Sequence, residues 1–338
     1  MRRFAMADGP SNKLVKRPDE ALVRKAVAAP APPMRLADSL EDAAPRTFVH
    51  VDRKGQVRSP ARYKALQAAS YGAAAAIVGG VTVMYGALLG IPGIGVGAAF
   101  AAYFGWHLRR SRLLHKATVL LVHDQLDEAE ALLRKVLASW RCPKHVAALA
   151  EQNLGAVYNR RGNFEEALAH QRAAMTLYAR SNAKSPMRQV VEYAEIITLV
   201  NLGRVGEARQ RFDQKQGKVP EGDYLRMQHW GAELYVCLAE GEHRIDPEQL
   251  HQCAIAALKI TGAAALLGLS AWAHWKLGDT DQAWHLLTEA YDRRQGVRLE
   301  RALPLLWKWM EEHADEAGVD RSIGADEPGS EDDPLGGL

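Results

Sequence analysis

The sequence predicts an all-α protein. We expect a helical-hairpin solenoid of about five units with a C-terminal capping helix, preceded by an Ala/Gly-rich transmembrane helical hairpin and a disordered N-terminal arm. Two observations carry this prediction. No charged side chain occurs over residues 65–106, and a short motif returns at nearly constant spacing between residues 110 and 295. The 338-residue chain is 48% hydrophobic and 25% charged, as in an average globular protein.

The N-terminal arm, residues 1–62, is rich in proline and basic side chains. It holds too little apolar surface to offset the entropy of ordering, so the sequence predicts disorder. Residues 47–57 are an exception, because Val and His alternate there and can form a small β-hairpin. The charge of the chain is concentrated at its ends, so we expect no nucleic-acid partner for the middle of the chain.

Residues 63–109 are predicted to form a two-span transmembrane hairpin, because 42 consecutive uncharged residues have the length of two spans. Gly90-Ile-Pro-Gly93 is the expected turn between the spans. Small residues recur at every fourth position in both segments, a ladder that lets helices approach closely in lipid. The ladder residues are Gly72, Ala76 and Gly80 in the first segment, and Gly93, Gly97, Ala101 and Gly105 in the second. The alternative is an Ala/Gly-rich hairpin buried in a soluble core.

Basic side chains flank the uncharged run on both sides, from Arg53 to Lys64 before it and from Arg109 to Lys116 after it. The positive-inside rule then places both ends of the hairpin in the cytoplasm. The expected location is the bacterial cytoplasmic (inner) membrane, with both termini and the solenoid on the cytoplasmic side. Three cysteines without a CxxC pair agree with a reducing compartment.

A repeated motif, G-x-x-x-(E/Q)-A, divides the region after residue 110 into units. Three copies begin at Gly162, Gly203 and Gly278. A fourth copy begins at Asp124, with aspartate in the glycine position, and a degenerate copy begins at Gly241. Successive copies are 38, 41, 38 and 37 residues apart. Glycine ends one helix, an acidic or polar residue begins the next, and alanine permits close crossing, so each unit is predicted to be a helical hairpin. Stacked hairpins form a solenoid.

The most regular unit reads Leu154-Gly155-Ala-Val-Tyr158, then Gly162-Asn-Phe164, Ala167 and Ala174. At these residues the chain resembles the tetratricopeptide repeat (TPR) family over about residues 110–295. The spacing exceeds the 34 residues of that family, so superhelix pitch and groove shape are expected to differ. The solenoid and its capping helix are expected to end near residue 317, before a disordered acidic tail at 318–338.

The resemblance implies that the first helix of each unit lines a groove for an extended peptide or a partner helix. Tyr and Trp are frequent anchors of such interfaces. The alternative is that the tryptophans pack between helices. The expected groove residues are Asn153, Asn159, Arg160, Tyr193, Ile197, Tyr235, Trp272 and Trp275.

The sequence contains no recognisable motif for catalysis or metal binding, so we expect neither an enzyme nor a cofactor or metal site. The leading hypothesis is a membrane-anchored scaffold or adaptor whose cytoplasmic solenoid captures protein partners while the hairpin contacts membrane lipid. The alternative makes the hairpin a glycine zipper that self-associates into a membrane assembly or pore, regulated by the repeats. A third hypothesis is an enzyme whose site has no sequence signature.

Overall fold

The computed structural model describes residues 50–51, 57–58, scattered positions between 65 and 87, and 91–319 with gaps at 140, 182–184, 216–219, 259–262 and 295–297. These residues all belong to one unit of the chain, residues 43–338. Most of the predicted N-terminal arm and nearly all of the predicted acidic tail lie outside the described residues.

A two-stranded antiparallel pair lies in the segment where Val and His alternate. Strand β1 (His50–Val51) pairs with β2 (Val57–Arg58), with His50 opposite Arg58 and Val51 opposite Val57. The described residues between 65 and 87 all have helical backbone.

Helix α1 (Ile91–Val122) is continuous over 32 residues, about 48 Å in length. The predicted boundary between a second span and the solenoid, at residues 109–110, therefore falls inside one helix. Pro92 lies in its first turn, where the missing backbone donor has no intrahelical partner to lose, so the predicted break at this proline starts a helix instead. In the described part of the chain, no helix combines the length and apolarity needed to cross a membrane.

The described small residues of the two ladders are mostly exposed. A methyl group added at Gly72, Gly80 or Gly105 would meet no atom within 4 Å. Ala76 and Ala101 are exposed and Gly97 is buried, while the surroundings of Gly93 lie outside the described residues. The self-packed hairpin therefore stays a prediction. Small side chains permit close approach, but something else must bring a second helix to that face.

The described residues from 91 onward form five helical hairpins, the first of which begins with α1, and the first helix of each contacts the first helix of the next. The pairs are α1 with α2 (Leu126–Leu137), α3 (Lys144–Arg161) with α4 (Phe164–Arg180), α5 (Pro186–Asn201) with α6 (Val205–Asp213), α7 (Asp223–Glu240) with α8 (Pro247–Leu258), and α9 (Ala264–Lys276) with α10 (Thr280–Asp292). Two shorter helices, α11 (Leu299–Ala302) and α12 (Pro304–His313), close the described chain.

Left-handed residues make the turns of these hairpins, as the repeat motif predicts. Gly162, Gly203, Gly241 and Gly278 have φ between +72° and +80°, and Asp124 has φ +59°. Aspartate is one of the few side chains that tolerate this conformation, which explains how it replaces glycine in the first unit. The motif alanines Ala129, Ala167, Ala208 and Ala283 have no exposed surface, so the paired helices cross closely at each of them.

A charged network joins the first two units at Glu130 on α2. Its carboxylate accepts hydrogen bonds from Arg134 at 2.7 Å, from the Tyr158 hydroxyl at 2.7 Å and from Arg161 at 2.5 Å. Burial raises the pKa of Glu130, but the hydrogen bonds from Arg161, Tyr158 and Arg134 outweigh it and lower the pKa to about 2. The carboxylate is therefore held charged between α2 and α3.

Candidate functional site

The candidate site is the face formed by the first helices of the hairpins, α1, α3, α5, α7 and α9, which we call the A-helix face. All eight predicted groove residues lie on four of these helices. Their burial differs along the solenoid, and the C-terminal segment covers part of the face.

The polar end of the A-helix face lies on α3 and is half-buried. Asn153 Nδ2 donates to Thr118 Oγ1 at 3.0 Å, and Arg160 donates to the Leu121 carbonyl at 2.5 Å. Burial lowers the pKa of the Arg160 guanidinium, and the Asp124 carboxylate opposes that effect. These side chains connect α3 to α1, so they stabilise the stack as well as shaping the face. Asn159 is also half-buried, and among the described residues its Oδ1 atom has no hydrogen-bond partner.

The aromatic end is largely buried between helices. Tyr193, Tyr235 and Trp272 are 4%, 0% and 2% exposed. Tyr193 contacts the His229 ring edge-on, with 5.6 Å between ring centroids. The expectation that these three rings line an open groove is therefore corrected, since neighbouring first helices pack closely enough to enclose them. Ile197 remains half-buried.

The C-terminal segment, residues 298–313, lies across the A-helix face, and we call it the C-terminal strap. It begins at the turn of the first unit, where Arg298 Nε is 2.8 Å from Asp124 Oδ2. Helix α11 then contacts α3. There the Arg301 carbonyl oxygen is 4.0 Å from the position of a Cβ at Gly162.

The middle of the C-terminal strap is held at the third and fourth units. Asn201 Nδ2 donates to the Ala302 carbonyl at 2.9 Å. The Tyr235 hydroxyl donates to Asn201 Oδ1 at 2.5 Å. Burial raises the pKa of Tyr235, and a hydrogen bond from the Leu305 backbone amide partly opposes the shift.

Helix α12 ends the C-terminal strap on α9 of the fifth unit. Gly268 leaves room for it, because a Cβ there would lie 3.0 Å from Met310 Sδ and 3.4 Å from Leu306 Cδ1. The rings of Trp275 and Trp309 are in contact, tilted by 57° with 6.1 Å between their centroids. Trp275, predicted to meet a partner, thus contacts a tryptophan of the same chain.

The sequence contains one signal for the position of the C-terminal strap, the apolar face of α12. By itself that signal predicts only a helix that caps the last unit. Leu306, Trp309 and Met310 have the spacing of one apolar helix face, and all three are buried. The crossing of residues 298–303 to the first three units has no such local signal. Its polar contacts are with residues more than a hundred positions away in sequence, α11 contacts α3, and Leu299 and Ala302 are buried.

In the described segments, no three His, Cys, Asp or Glu side chains are placed to hold a metal ion. Burial lowers the pKa of His229 to about 4, and burial raises the pKa of Cys253 to about 12. Such shifts leave both groups uncharged at neutral pH, as expected of packed side chains.

Residues 109–180 match the family model described as Tetratricopeptide repeat. The matched segment begins within α1 and ends with α4, so it covers the first two hairpins. No curated protein and no solved structure matches the chain. This segment therefore contains tetratricopeptide repeats, as the unit around Gly155 predicts, and repeats of this kind indicate a role in protein–protein interaction.

Proposed function

We propose that the chain is a non-enzymatic scaffold that binds protein partners on its A-helix face, and that residues 63–109 anchor it in a membrane. The tetratricopeptide repeats at residues 109–180 carry the first half of this proposal. The second half rests on apolar side chains that the fold leaves exposed.

The A-helix face offers chemistry suited to a polypeptide. Its second unit presents half-buried amides and a guanidinium at Asn153, Asn159 and Arg160, and its third and fifth units present Ile197 and Trp275. Arginine and tryptophan are enriched at protein interfaces, whereas amides can bond to a backbone. The combination favours a peptide segment with both a polar and an apolar part.

A photo-crosslinking amino acid tests this surface in the full-length chain in membranes. Placed at Ile197 it should form a discrete adduct with a protein partner. Placed at Glu166, which is exposed on α4 outside the A-helix face, it should not. Equal adducts at both positions, or adducts at Glu166 alone, would contradict partner binding on the A-helix face.

Membrane anchoring is supported by the position of exposed apolar side chains. Most of the large exposed hydrophobic residues in the described chain lie between residues 77 and 103, and they are Ile77, Val83, Met84, Val96, Phe100 and Tyr103. Next to them, Trp106 contacts the His107 ring edge-on with 5.3 Å between centroids, and the Arg110 guanidinium is 3.3 Å from the Trp106 ring centroid. Aromatic and basic side chains at the end of an apolar segment are typical of a membrane interface.

Carbonate extraction tests the anchor. The native chain should stay in the membrane pellet, whereas the double variant Val96→Lys and Phe100→Lys should move toward the supernatant, because lysine is costly in hydrocarbon. Val122→Lys, an equally exposed site at the far end of α1, is the matched control and should stay in the pellet. A native chain found in the supernatant would remove the anchor from the proposal.

Self-association through the anchor is a second candidate function. The open faces at Gly72, Gly80 and Gly105 favour it, since another copy could approach closely there. Chemical crosslinking in membranes separates the two: a scaffold should give monomers and dimers, and a glycine-zipper assembly should give large rings. Rings that disappear in Gly80→Leu would favour the assembly.

A further inference from the structure

The C-terminal strap contacts all five units of the solenoid on the face that is proposed to bind partners. Arg298 reaches the first unit, α11 the second, Ala302 the third, Leu305 the fourth and α12 the fifth. A cap that only covered the end of the stack would need contacts with the last unit alone. The first half of the strap therefore does more than close the end of the solenoid.

We propose that residues 298–313 are an intramolecular ligand of the A-helix face, displaced by a partner segment of the same chemistry. That chemistry is a basic residue followed about eight residues later by an amphipathic helix with Leu, Trp and Met on one face. The inference rests on the proposed function, because it concerns which segments the same face accepts and when it is open.

The attachment of the strap is uneven along its length. Arg298 leaves 49% of its side chain exposed in its ion pair with Asp124, and exposed pairs contribute little to stability. Helix α11 has only four residues, and Leu305 is 39% exposed. By contrast, Leu306 and Met310 on α12 have no exposed surface. Residues 298–305 also bury side chains, because Leu299 is 1% exposed and Ala302 and Leu303 are each 8% exposed. The first half of the strap is thus held by a few small apolar side chains and exposed polar contacts, whereas the larger side chains of α12 are buried on α9.

The same contacts define what a partner must present. Asp124 accepts a cation, and Asn201 Nδ2 donates to a backbone carbonyl that any residue can supply. The space left by Gly268 accepts branched or flexible apolar side chains, and Trp275 offers a ring to an aromatic side chain. A helix laid into an apolar groove behind a polar anchor is a common mode of peptide recognition.

The test measures binding of a fluorescent peptide of residues 297–314 to the full-length chain in detergent. In the double variant Leu306→Asp and Met310→Asp, the strap of the chain is released while the peptide keeps its own sequence. We expect this variant to bind the peptide at least about tenfold more tightly than the native chain, because a site occupied by its own ligand is open only part of the time.

A second variant tests the same prediction without replacing buried residues, so that unfolding cannot account for its result. Arg298→Glu places two carboxylates at the Asp124 contact without touching the core, and should tighten peptide binding about threefold. Lys308→Ala, on the exposed side of α12, is the matched control and should leave peptide binding unchanged. Circular dichroism reports the helix content of every variant.

The outcomes separate this inference from the proposed function. Equal binding by the native chain and both released variants overturns the inference, while the face keeps its role as a peptide site. No binding by Arg298→Glu at native helix content also overturns it, and the crosslinking at Ile197 then decides the proposed function alone. A released variant that dimerises and excludes the peptide assigns the face to a second copy and overturns it too.

Discussion

Asn201 and Ala302 are joined by a hydrogen bond although 101 residues separate them in sequence. The amide of Asn201 uses both of its ends: Nδ2 donates to the Ala302 carbonyl, and Oδ1 accepts from the Tyr235 hydroxyl. This fixes the orientation of the amide. It also makes one residue the link between the C-terminal strap and two first helices, α5 and α7.

Asn201→Asp is expected to loosen the C-terminal strap without opening the solenoid. A carboxylate can still accept from Tyr235, but it cannot donate to the Ala302 carbonyl and repels it. We expect a loss of about 1–2 kcal/mol in stability and faster amide exchange in residues 298–313, measured by hydrogen–deuterium exchange. Tyr235→Phe keeps the bond to Ala302, so exchange in the strap that is faster in Tyr235→Phe than in Asn201→Asp would contradict this assignment.

Gly203 and Gly206 form a matched pair three residues apart. A Cβ at either position would meet no atom within 4 Å, but only Gly203 has a left-handed backbone, with φ +74°. Gly203→Ala should therefore lower stability by about 1–2 kcal/mol, and Gly206→Ala in α6 should raise it by about 0.5 kcal/mol. Thermal unfolding followed by circular dichroism measures both variants. Equal melting temperatures for the two variants would show that the left-handed backbone at Gly203 does not require glycine.

Gly155 is expected to be intolerant of any side chain. A Cβ there would lie 3.3 Å from the Ala167 carbonyl oxygen and 3.0 Å from Gln171 Cγ, so Gly155→Ala must push α4 away from α3. We expect a loss of about 1–3 kcal/mol. The control is Gly231→Ala in α7, whose nearest neighbour would be Leu266 Cδ1 at 4.0 Å. Chemical denaturation should separate the two variants clearly.

The Glu130 network produces a pH dependence with a definite sign. The pKa of Glu130 in the folded chain, about 2, lies below its ordinary value of 4.5, so the unfolded chain takes up a proton first as the pH falls. The stability contributed by Glu130 is complete above about pH 4.5 and is lost as the pH falls toward 2.

Glu130→Gln should therefore be less stable than the native chain at pH 7, with a difference that shrinks as the pH falls below 4.5. Urea unfolding at a series of pH values measures the difference. Glu128→Gln, an exposed neighbour on α2, serves as the control and should match the native chain throughout. A difference for Glu130→Gln that grows as the pH falls would contradict this sign.

The hairpins could be predicted from sequence because their determinants are local. A glycine at Gly162 or Gly278 must be left-handed to end one helix, and an alanine five residues later must be small for the helices to cross. Each requirement is visible within six residues. The same locality explains why Asp124 can be identified as a turn residue although it is not glycine.

The path of the strap and the burial of the rings could not be predicted in this way. The repeat pattern places Tyr235 and Trp272 on the correct helices, but how deeply they are buried depends on how closely α5, α7 and α9 stack. The contact of Arg298 with Asp124 joins residues far apart in the chain, and neither side chain has neighbours that mark it as a partner. Such contacts depend on the superhelix, which no short segment encodes.

The unbroken course of α1 has a mechanical consequence. Residues 91–108 and the first repeat helix belong to one continuous helix, and Arg110 links that helix to the connection between α2 and α3 by donating to the Arg141 carbonyl at 3.2 Å. The helix has no break that could act as a hinge between its two halves. A membrane or protein that binds the N-terminal half of α1 therefore also fixes the orientation of the repeats, and a rotation of that half about the helix axis is transmitted to them.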